Sequence, residues 1–337
     1  MSLENKTKYA LMKHGHHNLG VINIGDYIQS CAAEQFLPKV DSYIDRDQLN
    51  SQNITPCKLI INGWFTDAPH NWPPNSNIEP HFISFHLQPS SAKVILNSEE
   101  NVKYFKKHSP IGCRDYKTVE LLKEKGIEAY FSFCLTTTLG LKYSSPIKNE
   151  NIYLVDLFYT YDRTVIEKIS VKSLFKGFQL KKLKKLKKYF SSPPTLTNYI
   201  PSEVLSKSTK LNHFVSYKNS NEEFYKMAKE YLKKYAEAKL VVTSRIHCAL
   251  PCLALGTPVL FLMEDLKDED LHMSRFRGIL DHINILTLES KDKLNSLFKK
   301  DMNIFHPDDI DWNNPPKNPD SFKPLAEDLI NSCKNFV

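Results

Sequence analysis

Two apolar segments enclose a short polar turn in the second half of the chain. Residues 239–263 read KLVVTSRIHCALPCLALGTPVLFLM, and the turn Thr243–His247 supplies two hydroxyls, an arginine and a histidine. We expect residues 240–243 to form a buried strand and residues 246–255 a helix that Gly256 terminates. Buried elements on both sides would then fix the polar residues at the end of a strand.

Strand-like and helix-like segments alternate through most of the chain, which predicts parallel βαβ units. The predicted strands cover residues 8–14, 58–62, 92–97, 129–133, 151–156, 213–217, 240–243 and 259–262, and the predicted helices cover residues 26–37, 98–107, 115–125, 222–236 and 246–255. The fold class is therefore α/β, with two Rossmann-like domains that face a cleft.

The length of 337 residues suits two domains rather than one. We predict an N-terminal α/β domain over residues 1–145 and a C-terminal α/β domain over residues 146–312. Residues 158–205 contain few strand signals and are predicted to be an insertion. Residues 313–337 form a proline-rich tail and a last helix, which we expect to pack back on the N-terminal domain.

The composition is that of a soluble globular enzyme, with 41% hydrophobic and 25% charged residues, and it argues against a disordered or collagen-like chain. Every apolar run is much shorter than the roughly 20 residues that span a bilayer, and the N-terminus lacks a signal-peptide pattern. The seven cysteines are scattered and form no CxxC pair, which favours reduced packing residues over disulfides or a zinc site. We expect a cytoplasmic protein.

The net charge of +7 is concentrated in one run, KKLKKLKK at residues 181–188. Its charges come from Lys181, Lys182, Lys184, Lys185, Lys187 and Lys188. Leucines at near-helical spacing make the segment amphipathic, so it fits either a solvated helix that covers the core or a helix that docks on an anionic membrane surface. The segment lacks the interleaved aromatic residues of a nucleic-acid site, and no nucleic-acid partner is predicted.

Ligands of open α/β sheets bind beyond the carboxyl ends of the strands, where helix N-termini favour anions. Three such turns carry polar residues. The first contains Asn23, Gly25 and Asp26, and we expect Asp26 to cap the following helix, with Gln29 completing a capping box. Helix capping alone would also explain Asp26.

The second turn places Arg114 directly before Asp115, the predicted cap of the next helix. This arginine fits either a solvated surface position or an anion clamp.

In the third turn we expect Ser244 to cap the helix. Arg245 could then bind a phosphate or carboxylate, and His247 could transfer a proton near neutral pH. A structural histidine is the alternative for His247.

Several motifs together resemble those of the polysaccharide pyruvyl transferase family. The sequence VVTSRIHCALPCLALGTPV resembles the signature helix of that family, and Asn23-x-Gly25-Asp26 resembles its early element. PIGCRDYKTVELLKEKGIEAYFSFCLTTTL at residues 110–139 resembles its central block, and RFRGILD at residues 275–281 resembles its late Arg-Phe-x-Gly element. The matches run in order over residues 15–282, and residues 158–205 are not covered.

The resemblance implies a GT-B-like fold and a transferase that moves the enolpyruvyl unit of phosphoenolpyruvate onto a sugar of a cell-surface polysaccharide, such as an exopolysaccharide, or of its lipid-linked precursor. It implies that phosphoenolpyruvate is bound by Arg114, Ser244, Arg245, Ile246 and His247. His247 and Asp26 are the candidate acid–base groups, and the candidate supporting residues are Asn23, Gly25, Asp115 and Arg275. No metal and no cofactor besides the donor substrate is expected.

A lipid-linked acceptor would suit a protein that lies at the inner face of the cell membrane. Two rival functions stay open at this point, a glycosyltransferase that uses a nucleotide sugar and a non-catalytic protein that binds glycans or a membrane surface.

Overall fold

The computed structural model describes residues 7–15, 20–158, 195–264 and 273–337. The lysine run at residues 181–188 and most of the predicted insertion lie outside the described residues. Within those ranges, no helix is both long enough and apolar enough to cross a membrane.

The described strands are numbered in chain order. They are β1 Tyr9–Lys13, β2 Val21–Asn23, β3 Ser42–Asp45, β4 Cys57–Phe65, β5 Ile78–Leu87, β6 Ile111–Cys113, β7 Ala129–Phe131, β8 Ile152–Val155, β9 Ser208–Leu211, β10 Phe214–Ser216, β11 Leu240–Thr243, β12 Val259–Leu262, β13 Asn284–Leu286 and β14 Ile304–Phe305.

The described α-helices are α1 Ile24–Glu34, α2 Pro89–Ile95, α3 Glu99–Lys107, α4 Tyr116–Lys123, α5 Gly140–Tyr143, α6 Ser202–Lys207, α7 Asn221–Glu237, α8 Ile246–Ala254, α9 Lys291–Phe298 and α10 Lys323–Phe336. Short 3-10 turns supplement them, among them Arg46–Gln48 after β3 and Leu135–Thr138 after β7.

Two six-stranded parallel sheets confirm the α/β class. The first has the order β3-β1-β4-β5-β6-β7 and the second the order β14-β13-β12-β11-β8-β9. Strands β11 and β12 are buried along their whole length, as their continuous apolar sequence predicts for central strands of a parallel sheet. The division into two domains and their GT-B arrangement stay predictions.

Contacts between the two halves of the chain are extensive. Strand β2 pairs antiparallel with β10, and one apolar cluster contains Leu11 and Ile60 from the first sheet together with Val241 and Phe261 from the second. On the surface, both guanidinium NH₂ groups of Arg277 bind the Glu120 carboxylate at 2.7 and 2.6 Å.

The last helix, α10, lies against the first sheet. His81 of β5 is within 3.0 Å of the Ser332 hydroxyl, and its ring stacks on Phe336 at 4.9 Å. Lys58 Nζ donates to the carbonyl of Phe336 at 2.7 Å. The chain end is thereby joined to the edge where β4 and β5 begin.

Two sequence-based assignments in the first half were wrong. Residues 92–97, predicted as a strand, belong mainly to helix α2, which starts with Pro89 at its first position, where proline is favoured. Helix α1 starts at Ile24 rather than residue 26, and its N-cap is Asn23, whose side chain accepts from the Gly25 N–H at 3.0 Å. Asp26 therefore lies in the first turn and does not cap.

Candidate active site

The carboxyl ends of strands from both sheets border one cavity of ≈ 230 Å³. The first half of the chain contributes residues at, or just beyond, the ends of β2, β3, β4, β5 and β6. They are Asn23, Asp26, Arg46, Trp64, Asp67, Gln88 and Arg114. A position beyond the carboxyl ends of parallel strands is where α/β proteins bind their ligands.

The second half contributes the opposite wall of the cavity. Its residues follow β9, β11 and β12, and they are His213, Phe214, Arg245, Ile246, His247 and Arg275. The structure thus brings together three predicted sites, at the N-terminus of α1, after β6 and after β11. Among the predicted residues, Gly25, Asp115 and Ser244 do not line the cavity.

Arg114 forms the floor of the cavity and connects the two walls. Its side chain is only 1% exposed. One of its NH₂ groups, Nη1, donates to the Gln29 side-chain oxygen at 3.2 Å and lies 2.9 Å from Nε2 of His247. A guanidinium can only donate, so Nε2 of His247 is the acceptor and the imidazole is neutral.

The surroundings of His247 favour this neutral form. Burial lowers the pKa of His247 well below its ordinary value, and the positive charges of Arg114 and Arg275 lower it further. A neutral imidazole can take up a proton but cannot give one up from Nε2.

Arg245 is the N-cap of α8, a position predicted for Ser244. The Arg245 N–H donates to the Thr243 hydroxyl at 2.9 Å, and Nε lies 3.4 Å from the Asp156 carboxylate. Its guanidinium lies 4.7 Å from the centre of the Phe214 ring, a cation–π contact. The side chain is thus held in the cavity wall at the positive end of the α8 dipole.

The prediction that Ser244 caps α8 was wrong, and its proposed contact with a ligand has no support. Ser244 is fully buried, its hydroxyl donates to the Leu262 carbonyl at 2.8 Å, and it accepts from the Phe158 N–H at 3.3 Å. These bonds direct it into the sheet, where it connects β11 to β12.

At the N-terminus of α1 the predicted capping box is absent. Instead the Gln29 amide donates to Asp26 Oδ1 at 3.1 Å while its oxygen accepts from Arg114. Gly25 lies behind this wall, where a Cβ would come within 3.0 Å of Asn23 and 3.2 Å of His213 and His247. Gly25 therefore permits close packing of protein groups rather than of a ligand.

Asp115 caps α4, as predicted, by accepting from the Thr118 N–H at 2.9 Å. Its other oxygen lies 2.6 Å from Nδ1 of His86. Burial would raise the pKa of Asp115, but His86 and Arg114 outweigh it, and the pKa is lowered. Asp115 is therefore a buried charge beneath Arg114 and lies outside the cavity.

Six cavity residues were missed by the sequence analysis: Arg46, Trp64, Asp67, Gln88, His213 and Phe214. Half of them, Arg46, Asp67 and Gln88, follow strands of the first sheet, so the rule that ligands bind beyond the carboxyl ends of strands could have found them. Strands β3 and β5, which Arg46 and Gln88 follow, are not among the predicted strands.

The charges of the cavity are unequal on its two sides. Arg114, Arg245 and Arg275 surround His247 and the N-terminus of α8, a set of groups that binds anions. Asp26 and Asp67 lie on the other side, with Arg46 between them. In the described part of the chain, no cluster of three or more histidine, cysteine or acidic side chains could hold a metal ion.

Comparison with known proteins gives the family of the chain. The family model for polysaccharide pyruvyl transferases matches residues 23–265, more than half of the chain, and the matched range contains Arg114, Arg245 and His247. A search of curated proteins found none that matches the chain. The chain therefore belongs to the polysaccharide pyruvyl transferase family and is a transferase of polysaccharide biosynthesis.

Proposed function

We propose that the protein transfers the enolpyruvyl unit of phosphoenolpyruvate to a sugar of a cell-surface polysaccharide or of its lipid-linked precursor, and forms a pyruvate ketal. The observation that carries the proposal is the group of three arginines around the neutral His247 at the N-terminus of α8. The proposed setting is the cytoplasm, at the inner face of the membrane where a lipid-linked precursor would lie.

Phosphoenolpyruvate carries a phosphate and a carboxylate, and each can accept two parallel hydrogen bonds from a guanidinium. Arg114 reaches the cavity from its floor and Arg245 from the second wall, so each could hold one of these groups. The first N–H groups of α8, including that of Ile246, have no partner within the helix and would donate to the bound anion. Arg275 adds a third positive charge at the same side.

Ketal formation requires two new C–O bonds at C2 of the donor and the loss of phosphate. Two sugar hydroxyls supply the oxygens, and each releases a proton. One of these protons is added to the methylene carbon, which becomes the methyl group, and the other leaves on the phosphate. The protein must therefore accept a proton from a hydroxyl and return one to carbon.

His247 is the proposed base for the first step, with Asp26 as the second acid–base candidate in the same cavity. Nε2 of His247 is engaged by Arg114 at 2.9 Å. When the donor binds, its negative charge draws the Arg114 guanidinium toward it, and Nε2 becomes free to accept the hydroxyl proton. The positive charges around His247 favour prompt return of that proton.

Calorimetric titration with phosphoenolpyruvate tests the donor assignment. We expect Arg245→Ala to weaken binding by about 10- to 100-fold, because a hydrogen bond to a charged group contributes about 1.5–3 kcal/mol. The matched control is Arg277→Ala, which removes a surface arginine that binds Glu120 and does not line the cavity.

The proposal fails if the folded wild-type protein binds a UDP- or GDP-sugar and gives no heat with phosphoenolpyruvate. That result would favour a glycosyltransferase. Equal affinities of Arg245→Ala and Arg277→Ala for phosphoenolpyruvate would place the donor outside this cavity.

A further inference from the structure

We propose that the wall formed by Trp64, Asp67 and Gln88 around Arg46 binds the terminal sugar of the acceptor. This acceptor subsite deepens the proposed function and rests on it. The donor would lie against the opposite wall, with Arg245 and His247, so that the sugar hydroxyls meet the donor between the two walls.

The charges of this wall suit a neutral polyol and not the anionic donor. Asp26 and Asp67 would repel phosphate or carboxylate, whereas a carboxylate accepts hydrogen bonds from neighbouring sugar hydroxyls. The amide of Gln88 both donates and accepts, as does a hydroxyl. Binding an uncharged polar ligand in a small cavity takes a few such well-placed groups.

Arg46 does not add to the anion site, since carboxylates surround it. Its Nη2 lies 2.7 Å from Asp47 and 3.6 Å from Asp67, and its Nη1 lies 3.6 Å from Asp26. Burial alone would lower the pKa of Arg46, but Asp26 and Asp47 raise it. Arg46 is thus a buried, locally neutralised cation that positions the two cavity carboxylates.

The same guanidinium positions Trp64. The Arg46 guanidinium carbon lies 4.8 Å from the centre of the Trp64 ring system. Strand β4 changes register against β5 between Ile61 and Gly63, and Gly63 has a positive φ of 98°. A bulge of this kind turns the following side chain, and Trp64 reaches the cavity. Arg46 covers one face of the half-buried indole, and the other flat apolar face would pack on the C–H groups of a pyranose.

The two substrates would also lie at different depths in the cavity. Arg114 at the floor is 1% exposed, whereas the Asp67 side chain at the mouth is 52% exposed. A cavity of ≈ 230 Å³ is too small for a polymer, since pockets that enclose drug-sized ligands have about 300–1,000 Å³. Only the terminal sugar of a glycan would enter, and the rest of the chain would leave past Asp67.

Ligand-observed saturation-transfer NMR tests the subsite with methyl hexopyranosides of gluco, galacto and manno configuration, each with and without phosphoenolpyruvate. The variants are Trp64→Ala, Trp64→Phe and Asp67→Asn. Trp312→Phe is the control, because Trp312 packs on the second sheet and does not line the cavity. Phosphoenolpyruvate affinity is measured on the same samples by calorimetry.

We expect at least one sugar to bind the wild type and Trp312→Phe, and Trp64→Ala to weaken it about tenfold. Trp64→Phe should retain most of the affinity because a flat ring remains, and phosphoenolpyruvate should bind all variants within about a factor of two of the wild type. Unaltered sugar binding by Trp64→Ala and Asp67→Asn would overturn the subsite, as would the absence of sugar binding to a wild type that binds phosphoenolpyruvate. A wild type that does not bind phosphoenolpyruvate would instead contradict the proposed donor.

Discussion

At the scale of single residues, Gln29 connects Arg114 at the floor of the cavity to Asp26 in the first wall. Its side-chain oxygen accepts from Arg114, and its NH₂ group donates to Asp26. The backbone of β4 passes so close that a Cβ at Gly63 would lie 2.7 Å from that oxygen. Because Gly63 has no side chain, the Gln29 amide can occupy the position from which it binds Arg114.

We predict that Gly63→Ala destabilises the protein by about 1–3 kcal/mol, because alanine at this positive φ is strained. It should also weaken phosphoenolpyruvate binding, because the new methyl group displaces Gln29 from Arg114. Urea unfolding and calorimetry measure the two effects separately.

Gly256→Ala is the matched control for this substitution. Gly256 also has a positive φ, of 66°, but a Cβ there would meet no atom within 4 Å. Gly256→Ala should lower the stability of the protein and leave its affinity for phosphoenolpyruvate unchanged. If Gly63→Ala binds phosphoenolpyruvate as well as Gly256→Ala does, Gln29 does not position Arg114.

Three of the residues predicted from sequence have types that are unusual beside a buried strand. Arg114, Arg245 and His247 are of this kind, and all three line the cavity. Trp64 and Gln88 are common in strands and turns, so their presence in the cavity depends on the bulge in β4 and on the length of β5. Neither feature follows from local sequence patterns. The roles of all these residues stay predictions.

At the scale of elements, the sequence indicated type better than boundaries. Strands β11 and β12 were predicted at their observed bounds because their apolar runs are short and each begins after a lysine or a Gly-Thr-Pro turn. Residues 92–97 were assigned to a strand because their apolar residues are consecutive, yet they fold as α2, where Ala92 and Ile95 share the buried face. Strand β5, with histidines and prolines near its ends, was not predicted at all.

The contact between His81 of β5 and helix α10 should depend on pH. Burial lowers the pKa of His81 from about 6.5 to about 4, in the position where the ring stacks on Phe336 of α10. Between these values the unfolded chain binds a proton that the folded chain does not, so the stability falls as the pH falls from about 6.5 toward 4. His81 should account for at most about 2 kcal/mol of this loss at about pH 5.

Thermal or urea unfolding at about pH 7.5 and pH 5 measures this dependence. We expect the wild type to lose more stability between the two conditions than His81→Gln does. His70→Gln is the control, because His70 is exposed. An equal loss in the wild type and both variants would show that His81 does not titrate with the docking of α10.

At the scale of the whole molecule, each parallel sheet has an apolar cluster of its own, and both contribute to one shared apolar core. That core includes Ile22 and Ile24 from the first half and Ile246 and Phe261 from the second, and β2 pairs with β10 across the same region. The α/β class was predictable from alternating local patterns. The pairing of β2 with β10 was not, because the two strands are short and far apart in sequence.

This shared core predicts that the two halves unfold together. Separate cores would allow two transitions, whereas a cluster with members from both sheets loses contacts in each half whenever either opens. Differential scanning calorimetry should therefore give one transition with equal calorimetric and van't Hoff enthalpies. Phosphoenolpyruvate should raise its midpoint, since a ligand at 100 times its Kd stabilises the folded state by about 2.7 kcal/mol.

Arg245→Ala should keep the single transition and lose most of the shift with phosphoenolpyruvate, because its side chain lines the cavity and is not part of the shared core. Arg277→Ala should keep both the single transition and its shift with phosphoenolpyruvate. Two resolved transitions in the wild type would contradict the shared core. If phosphoenolpyruvate then raised the midpoint of only one of the two transitions, the donor would be bound by one half of the chain. Arg114 and Arg245 could then not both contact it.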